Sequence, residues 1–367
     1  MNPTQRPQVK KIRVLIVEDS TVIRELLEHI VANDPRLEIA AAVGSAEEAL
    51  RILERVSPDV ISMDIRLPGM NGLEATRLIM AERPTPIVVV SASVESEDLQ
   101  ITMNALQAGA LAVLEKPVGT TSGEYESMAH NLATQLAIMS EVKLVRRRTA
   151  VTHTRAIHTR SITTHPVERC PVPRSGEFRM MGIVCSTGGP SALVQLLGGL
   201  EAGFPLPIVL VQHITSSFLE GFASWLESVC PFSVTIVKDR MIPVPGRVYL
   251  AAPDRHLRVG YGVLLVDNSD PVCCQRPSGN VLFQSMAASV GAGALGVLLT
   301  GMGEDGAEGL LQIRNRGGHT IAEHESTAVV YGMPAAAVRL GAVCESLPLP
   351  AIAARILALT LSMQEVA

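Results

Sequence analysis

Two sets of residues in this chain have the types and spacing to do chemistry. The first consists of polar residues that close apolar runs in the N-terminal third. Glu18-Asp19 follow Lys11–Val17, Asp64 follows Asp59–Met63, Ser91 follows Pro86–Val90 and Lys116 follows Leu111–Leu114. Three carboxylates gathered in one place repel each other unless something compensates them, and Mg2+ together with a lysine ammonium would do so. A hard cation beside a carboxylate also prepares it to attack a phosphoryl group. Ordinary solvated loop acids would not fall at so many matched positions. The second set is Ser186, His213 and Asp305. Acyl transfer by a serine needs a base to take the Oγ proton and a carboxylate to orient that base. Ser186 stands in Met181-Gly-Ile-Val-Cys-Ser-Thr-Gly-Gly-Pro-Ser191, an apolar run ended by a Gly pair, with Pro190 suited to the first turn of a helix. A serine between a strand end and a helix N-terminus is presented at the sheet edge, near free backbone N–H groups that stabilise negative charge. A phosphate-binding turn or a plain strand–helix joint would read the same way.

Each member of the second set has competitors. Cys185 is a rival nucleophile, although as the last strand residue it is expected to point into the core. His256, His319 and His324 compete with His213 for the base. His256 falls in an expected hairpin, His319 begins its strand at the wrong end of the sheet, and His324, which ends that strand, is the serious rival. Asp305 would also serve as the cap of a helix starting at Gly306, with Glu304 as the alternative carboxylate.

The elements that must position these residues alternate between strand and helix. Strands at 11–17, 37–43, 59–63, 86–90 and 111–114 alternate with helices at about 20–32, 45–55, 73–81 and 97–108. That pattern predicts a parallel sheet with helices on both faces, whose ligands gather at the carboxyl ends of strands. Glu124–Arg148 reads as one long helix. The window from Arg146 to Arg179 holds eight arginines against two glutamates, with no aromatic interleaving or period, which reads as a basic tether. Beyond it come strands at 181–185, 207–212, 233–237, 247–251, 256–259, 263–266, 295–299, 319–322 and 342–345, with helices at 191–200, 220–229, 281–290, 306–315 and 351–363. The organisation expected is therefore α/β in two domains, 10–145 and 179–367, joined by a linker at 146–178. The second domain is doubly wound and mainly parallel, with a β-hairpin across Gly260-Tyr-Gly262.

Composition sets bounds. No apolar run is long enough to span a bilayer, so no direct membrane insertion is expected. The polar stretch Met1–Lys11 has no apolar signal core, which makes cytoplasmic residence the expectation. A net charge of −5 and the lack of a basic recognition helix speak against a nucleic-acid partner. The six cysteines show no CxxC spacing and read as reduced. Aromatic content of 3% requires aliphatic cores, as in parallel sheets.

Residues 12 to about 122 resemble response-regulator receiver domains, which have a five-stranded parallel, flavodoxin-like fold. The resemblance rests on Val17-Glu18-Asp19-Ser20, Met63-Asp64, Leu67-Pro-Gly-Met-Asn-Gly72, Ser91-Ala92 and Lys116-Pro117. It implies that Asp64 is the phosphoacceptor, that Glu18, Asp19 and Asp64 hold Mg2+, and that Ser91 and Lys116 contact the phosphoryl group. Where those domains usually carry an aromatic switch residue, this chain has Val113. Residues 180–364 resemble the catalytic domain of the chemotaxis protein-glutamate methylesterases, the CheB family. The motifs are Ser186-Thr-Gly-Gly-Pro190, Gln212-His213, Pro277-Ser278 with Leu282-Phe283, Leu299-Thr-Gly-Met-Gly-Glu-Asp-Gly-Ala307 and Val330-Tyr-Gly-Met-Pro334. By this resemblance Ser186 is the nucleophile, His213 the base, Asp305 its orienting carboxylate and the Met302 N–H an oxyanion donor. The implied activity is hydrolysis of glutamyl methyl esters on methyl-accepting chemoreceptors, with release of methanol, and deamidation of receptor glutamines, without a cofactor. A chemotaxis histidine kinase would be the phosphodonor, and phosphorylation would relieve the receiver's block of the active site. Val184-Cys185, Ile214-Thr215 and Asn280 depart from the family's usual residues.

Overall fold

The computed structural model describes residues 10–91, 96–117, 122–142 and 178–361. It divides into two compact units, Met1–Arg148 and Thr149–Ala367. The tether expected at 146–178 lies outside the described residues, apart from Phe178.

The first unit alternates β1 (Ile12–Val17), α1 (Thr21–Asn33), β2 (Leu37–Val43), α2 (Ala46–Val56), β3 (Val60–Met63), α3 (Gly72–Glu82), β4 (Ile87–Ser91), α4 (Ser96–Ala108), β5 (Ala112–Glu115) and α5 (Ser122–Ser140). The strands are all parallel, in the order β2-β1-β3-β4-β5. That order is the flavodoxin-like one, and its crevice opens where the winding reverses, between β1 and β3. β3 and β4 are buried along their whole length, as central parallel strands covered on both faces must be. Three helices start at residues whose side chains accept an N-terminal N–H: Ser20 from Ile23, Ser45 from Glu48 and Asn71 from Glu74. Each such cap is worth about 1 kcal/mol. α5 ends at Ser140, and the part of the expected long helix beyond Val142 lies outside the described residues.

The second unit comprises β6 (Met180–Cys185), α6 (Gly189–Gly198), β7 (Ile208–Gln212), α7 (Ser216–Val229), β8 (Ser233–Val237), β9 (Arg247–Ala251), β10 (His256–Gly260), β11 (Val263–Asp267), α8 (Gly279–Ser289), β12 (Ala294–Leu298), α9 (Ala307–Asn315), β13 (His319–Glu323), α10 (Met333–Arg339), β14 (Glu345–Leu347) and α11 (Leu349–Leu361). Seven strands form a wholly parallel sheet, β14-β13-β12-β6-β7-β9-β8, and β10 and β11 form the expected antiparallel hairpin. β6 lies in the middle, with β7 on one side and β12 on the other. The chain winds outward from β6 in both directions, so the switch-point crevice opens at its carboxyl end.

Two expectations need correcting. The strand placed at 342–345 lies instead at Glu345–Leu347, because a helix the sequence reading lacked, α10, occupies the approach to it. The buried Ala342 closes that helix, its N–H bonding the Ala337 carbonyl after Gly341 turns at positive φ. The apolar pair Ala342-Val343 packs as a helix terminus and adds no rung to the sheet. Cys185, Cys230, Cys273 and Cys274 are free thiols, whereas Cys344 is disulfide-bonded, against the expectation that all six are reduced. Among the described residues no helix is long and apolar enough to cross a membrane.

Candidate active sites

In the first unit the switch point gathers the acidic set. Glu18, Asp19 and Asp64 bring carboxylate oxygens within 4.8 Å of one another, with Glu18 and Asp64 buried and Asp19 exposed. Lys116, just past β5, reaches across to both buried acids: its Nζ lies 2.8 Å from Asp64 Oδ2 and 2.9 Å from Glu18 Oε1. Asp64 Oδ1 accepts the Arg66 N–H at 3.2 Å. Burial raises the Asp64 carboxyl above its ordinary range, outweighing Lys116; burial raises Glu18 as well, with the charge of Asp64 adding to it. Burial pulls the Lys116 ammonium down, but its bonds to Asp64 and Glu18 prevail and raise it. One ammonium thus leaves two buried carboxylates short of positive charge. Glu18 Oε2, 2.8 Å from Lys116 Nζ, accepts no hydrogen bond. This all-oxygen donor set, short of positive charge, fits Mg2+. Ser91 ends β4, buried, with the Thr102 hydroxyl 3.4 Å from its own. Val113 is half-buried on β5 opposite Val89.

In the second unit Ser186 and His213 follow the last register pair of adjacent strands, Cys185↔Gln212. The His213 N–H bonds the Cys185 carbonyl at 3.0 Å, and the Ser186 N–H bonds the Thr300 carbonyl at 3.0 Å. The loop after β12 therefore lies directly against the serine turn. A Cβ on Gly301 would stand 2.8 Å from Ser186 Cβ and 2.2 Å from Met333 Sδ, so only glycine permits this approach. The Gly301 carbonyl accepts N–H groups from Gly332 and Met333 at 3.1 and 2.9 Å. Because a trans peptide directs its N–H opposite its carbonyl, the Met302 N–H faces away from α10. The Met302 side chain is exposed.

Asp305 is held by four donors. Oδ2 accepts His213 Nε2 at 2.9 Å and the Gly279 N–H at 2.6 Å; Oδ1 accepts the Ser278 hydroxyl at 2.6 Å and the Asn280 N–H at 3.1 Å. Burial works to raise this carboxyl, but the bonds from His213, Ser278 and Gly279 outweigh it and hold Asp305 below the ordinary carboxylate range. The alternative of a cap on the following helix is corrected: Gly306 occupies that position at positive φ, and Asp305 instead satisfies the N-terminus of α8.

The rivals are placed elsewhere. Cys185 is wholly buried, and burial raises its thiol well above the ordinary range. His256 is buried, its Nδ1 accepting the Ser278 N–H while Nε2 donates to the Asp270 carbonyl, so it braces the residue that grips Asp305. His319 pairs with Glu345 at the start of β13. The Nδ1 of His324 closes a local turn with Ser326. Glu304, exposed, lies 3.7 Å from the Arg339 guanidinium. Sequence reasoning missed Glu323. It is fully buried, its Oε2 accepts the Thr300 N–H at 2.9 Å, and burial raises its carboxyl. The only hint was a charged residue directly after the apolar run of β13.

Residues 181–356 match the CheB methylesterase family and residues 14–123 the response regulator receiver domain family. A protein-glutamate methylesterase/protein-glutamine glutaminase of Paramagnetospirillum magneticum is 57% identical over 95% of this chain and 97% of its own length. Another of that name, from Myxococcus xanthus, is 44% identical over 94% of this chain and 96% of its own length. With both domains matched in order and that identity sustained over nearly the whole length, the chain belongs to the protein-glutamate methylesterase family.

Proposed function

We propose that this protein hydrolyses glutamyl methyl esters on chemoreceptors, releasing methanol, and deamidates receptor glutamines, with Ser186, His213 and Asp305 carrying the reaction. The observation that carries this reading is the four-donor grip on Asp305, which fixes an ionised carboxylate on His213 Nε2. That bond fixes the tautomer, so Nδ1 is the nitrogen that takes the Ser186 proton. Ser186 Oγ attacks the ester carbonyl carbon, and the developing oxyanion takes the Met302 N–H. Collapse of the tetrahedral intermediate breaks the bond to the methoxy oxygen, which leaves as methanol with the proton from His213. Water, activated by the same imidazole, then cleaves the acyl-enzyme and restores Ser186 and a glutamate. A glutamine side chain would follow the same steps with ammonia leaving. Asp305 offsets the imidazolium charge in both halves.

In the receiver, Asp64 would accept a phosphoryl group from a histidine kinase, with Ser91 and Lys116 contacting it. Glu18, Asp19 and Asp64 would hold Mg2+, which when bound neutralises charge on the phosphoryl oxygens. Phosphorylation would raise the esterase activity, and the setting that fits is the cytoplasm. The direct test is methanol release from methylated receptor membranes by the wild-type chain and by Ser186→Ala. Equal release by the two would overturn the assignment.

A further inference from the structure

β6 and β7 are buried apolar strands, yet both end in side chains able to hydrogen-bond, Cys185 and Gln212. The Gln212 side chain is buried, and its polar atoms are committed. Nε2 donates to the Ser186 carbonyl and to the His213 carbonyl, both at 2.9 Å. Oε1 lies 3.0 Å from Cys185 Sγ, which donates to it. A primary amide has two N–H donors, and here they join the main chain of one residue to that of the other. The Cys185 thiol stays protonated, since burial raises it, and so remains a donor. The space is guarded as well. A Cβ on Gly189 would stand 2.1 Å from Gln212 Oε1 and 3.0 Å from Cys185 Sγ.

We propose that Gln212 is a positioning residue of the esterase, its carboxamide setting the separation of Ser186 and His213 and the Cys185 thiol holding it in place. This rests on the assignment of Ser186 and His213 as nucleophile and base. The bonds of Gln212 go to two main-chain carbonyls and a buried thiol, so its effect is confined to alignment, and alignment acts on kcat. A misplacement of about 1 Å in such a pair costs on the order of 10²-fold in rate.

The test uses the full-length chain and methylated receptor membranes, with kcat and KM separated and thermal unfolding followed for each variant. Gln212→Glu keeps the size of the side chain but sets an acceptor oxygen between two carbonyls; kcat should fall about 10²-fold with KM unchanged. Gly189→Ala should act in the same direction by displacing the amide. Cys185→Ala should lower kcat, and Cys185→Ser, which restores a donor, should recover it. If Gln212→Glu does not fold, the Cys185 pair decides alone. Wild-type kcat in Gln212→Glu or Cys185→Ala, or Cys185→Ser no better than Cys185→Ala, overturns the proposal, provided Ser186→Ala is inactive. Activity in Ser186→Ala would instead overturn the underlying assignment.

Discussion

On the proposed assignment, Ser186 supplies the hydroxyl that His213 and Asp305 activate, and both Ser186 and His213 act in one proton transfer. Ser186→Ala is therefore expected to lower ester hydrolysis by a factor on the order of 10⁶ while the fold persists. His213→Gln should fail as severely on the same ground, whereas His324→Gln should be mild. Methanol release by the three purified variants checks this, and exchanged outcomes for the two histidines would move the base to His324. The strand-end places of Ser186 and His213 were legible because a polar residue closing an apolar strand is visible in sequence. Asp305 was legible as a carboxylate but not in its partners. Its bonds run to Ser278, Gly279 and Asn280, which no local pattern connects to it. The brace supplied by His256 and the cap supplied by Glu323 were hidden for the same reason: each completes a hydrogen bond between elements distant in the chain.

Among the elements, β14 and α11 are joined by charge. The Arg355 guanidinium bonds both oxygens of Glu345 at 2.8 to 3.0 Å, and His319 adds a bond at 2.8 Å. Burial opposes ionisation of Glu345, but the bonds from His319 and Arg355 outweigh it and lower its pKa from 4.5 to about 2. A depressed carboxylate contributes stability above its unfolded pKa and loses it as pH falls toward the folded value. The contribution here is at most about 3 kcal/mol. Urea midpoints of the second unit should thus drop between pH 4.5 and about 2, and Glu345→Gln should flatten that part of the curve; an unchanged slope would count against this pairing. Parallel strands and capped helices were readable from apolar runs and from Ser20, Ser45 and Asn71. α10 was not, because Pro334 and the alanines that follow have no strong period, and what fixes the helix start is the tertiary capture of the Gly332 and Met333 N–H groups by Gly301.

At the scale of the whole molecule, each unit has its own buried apolar core. The two-domain order was readable from the change in composition after Arg146. The coupling proposed between Asp64 and Ser186 was not, since a relation between two units is encoded by no residue pattern. A phosphodonor with Mg2+ should raise methanol release by the full chain. Asp64→Asn should lose that response and keep the basal rate. A fragment beginning just ahead of Phe178, which is buried, should work at the stimulated rate without phosphodonor. If it is no faster than the unphosphorylated full chain, the receiver does not act by restraint.

The bridge between Gly301 and Tyr331 has a consequence for biosynthesis. A ribosome delivers the chain from its N-terminus, and N-terminal domains fold first. All the strands of the receiver have emerged by Glu115, whereas the loop beside Ser186 stays unbraced until Met333 has emerged. A chain cut after Asn315 contains Ser186, His213 and Asp305, yet lacks Glu323, Gly332 and Met333. It should release no methanol while still taking label from a radioactive phosphodonor at Asp64; methanol release from it would show that the bracing is dispensable. Translation that halts there would leave a product that drains phosphoryl groups from the kinase and demethylates nothing.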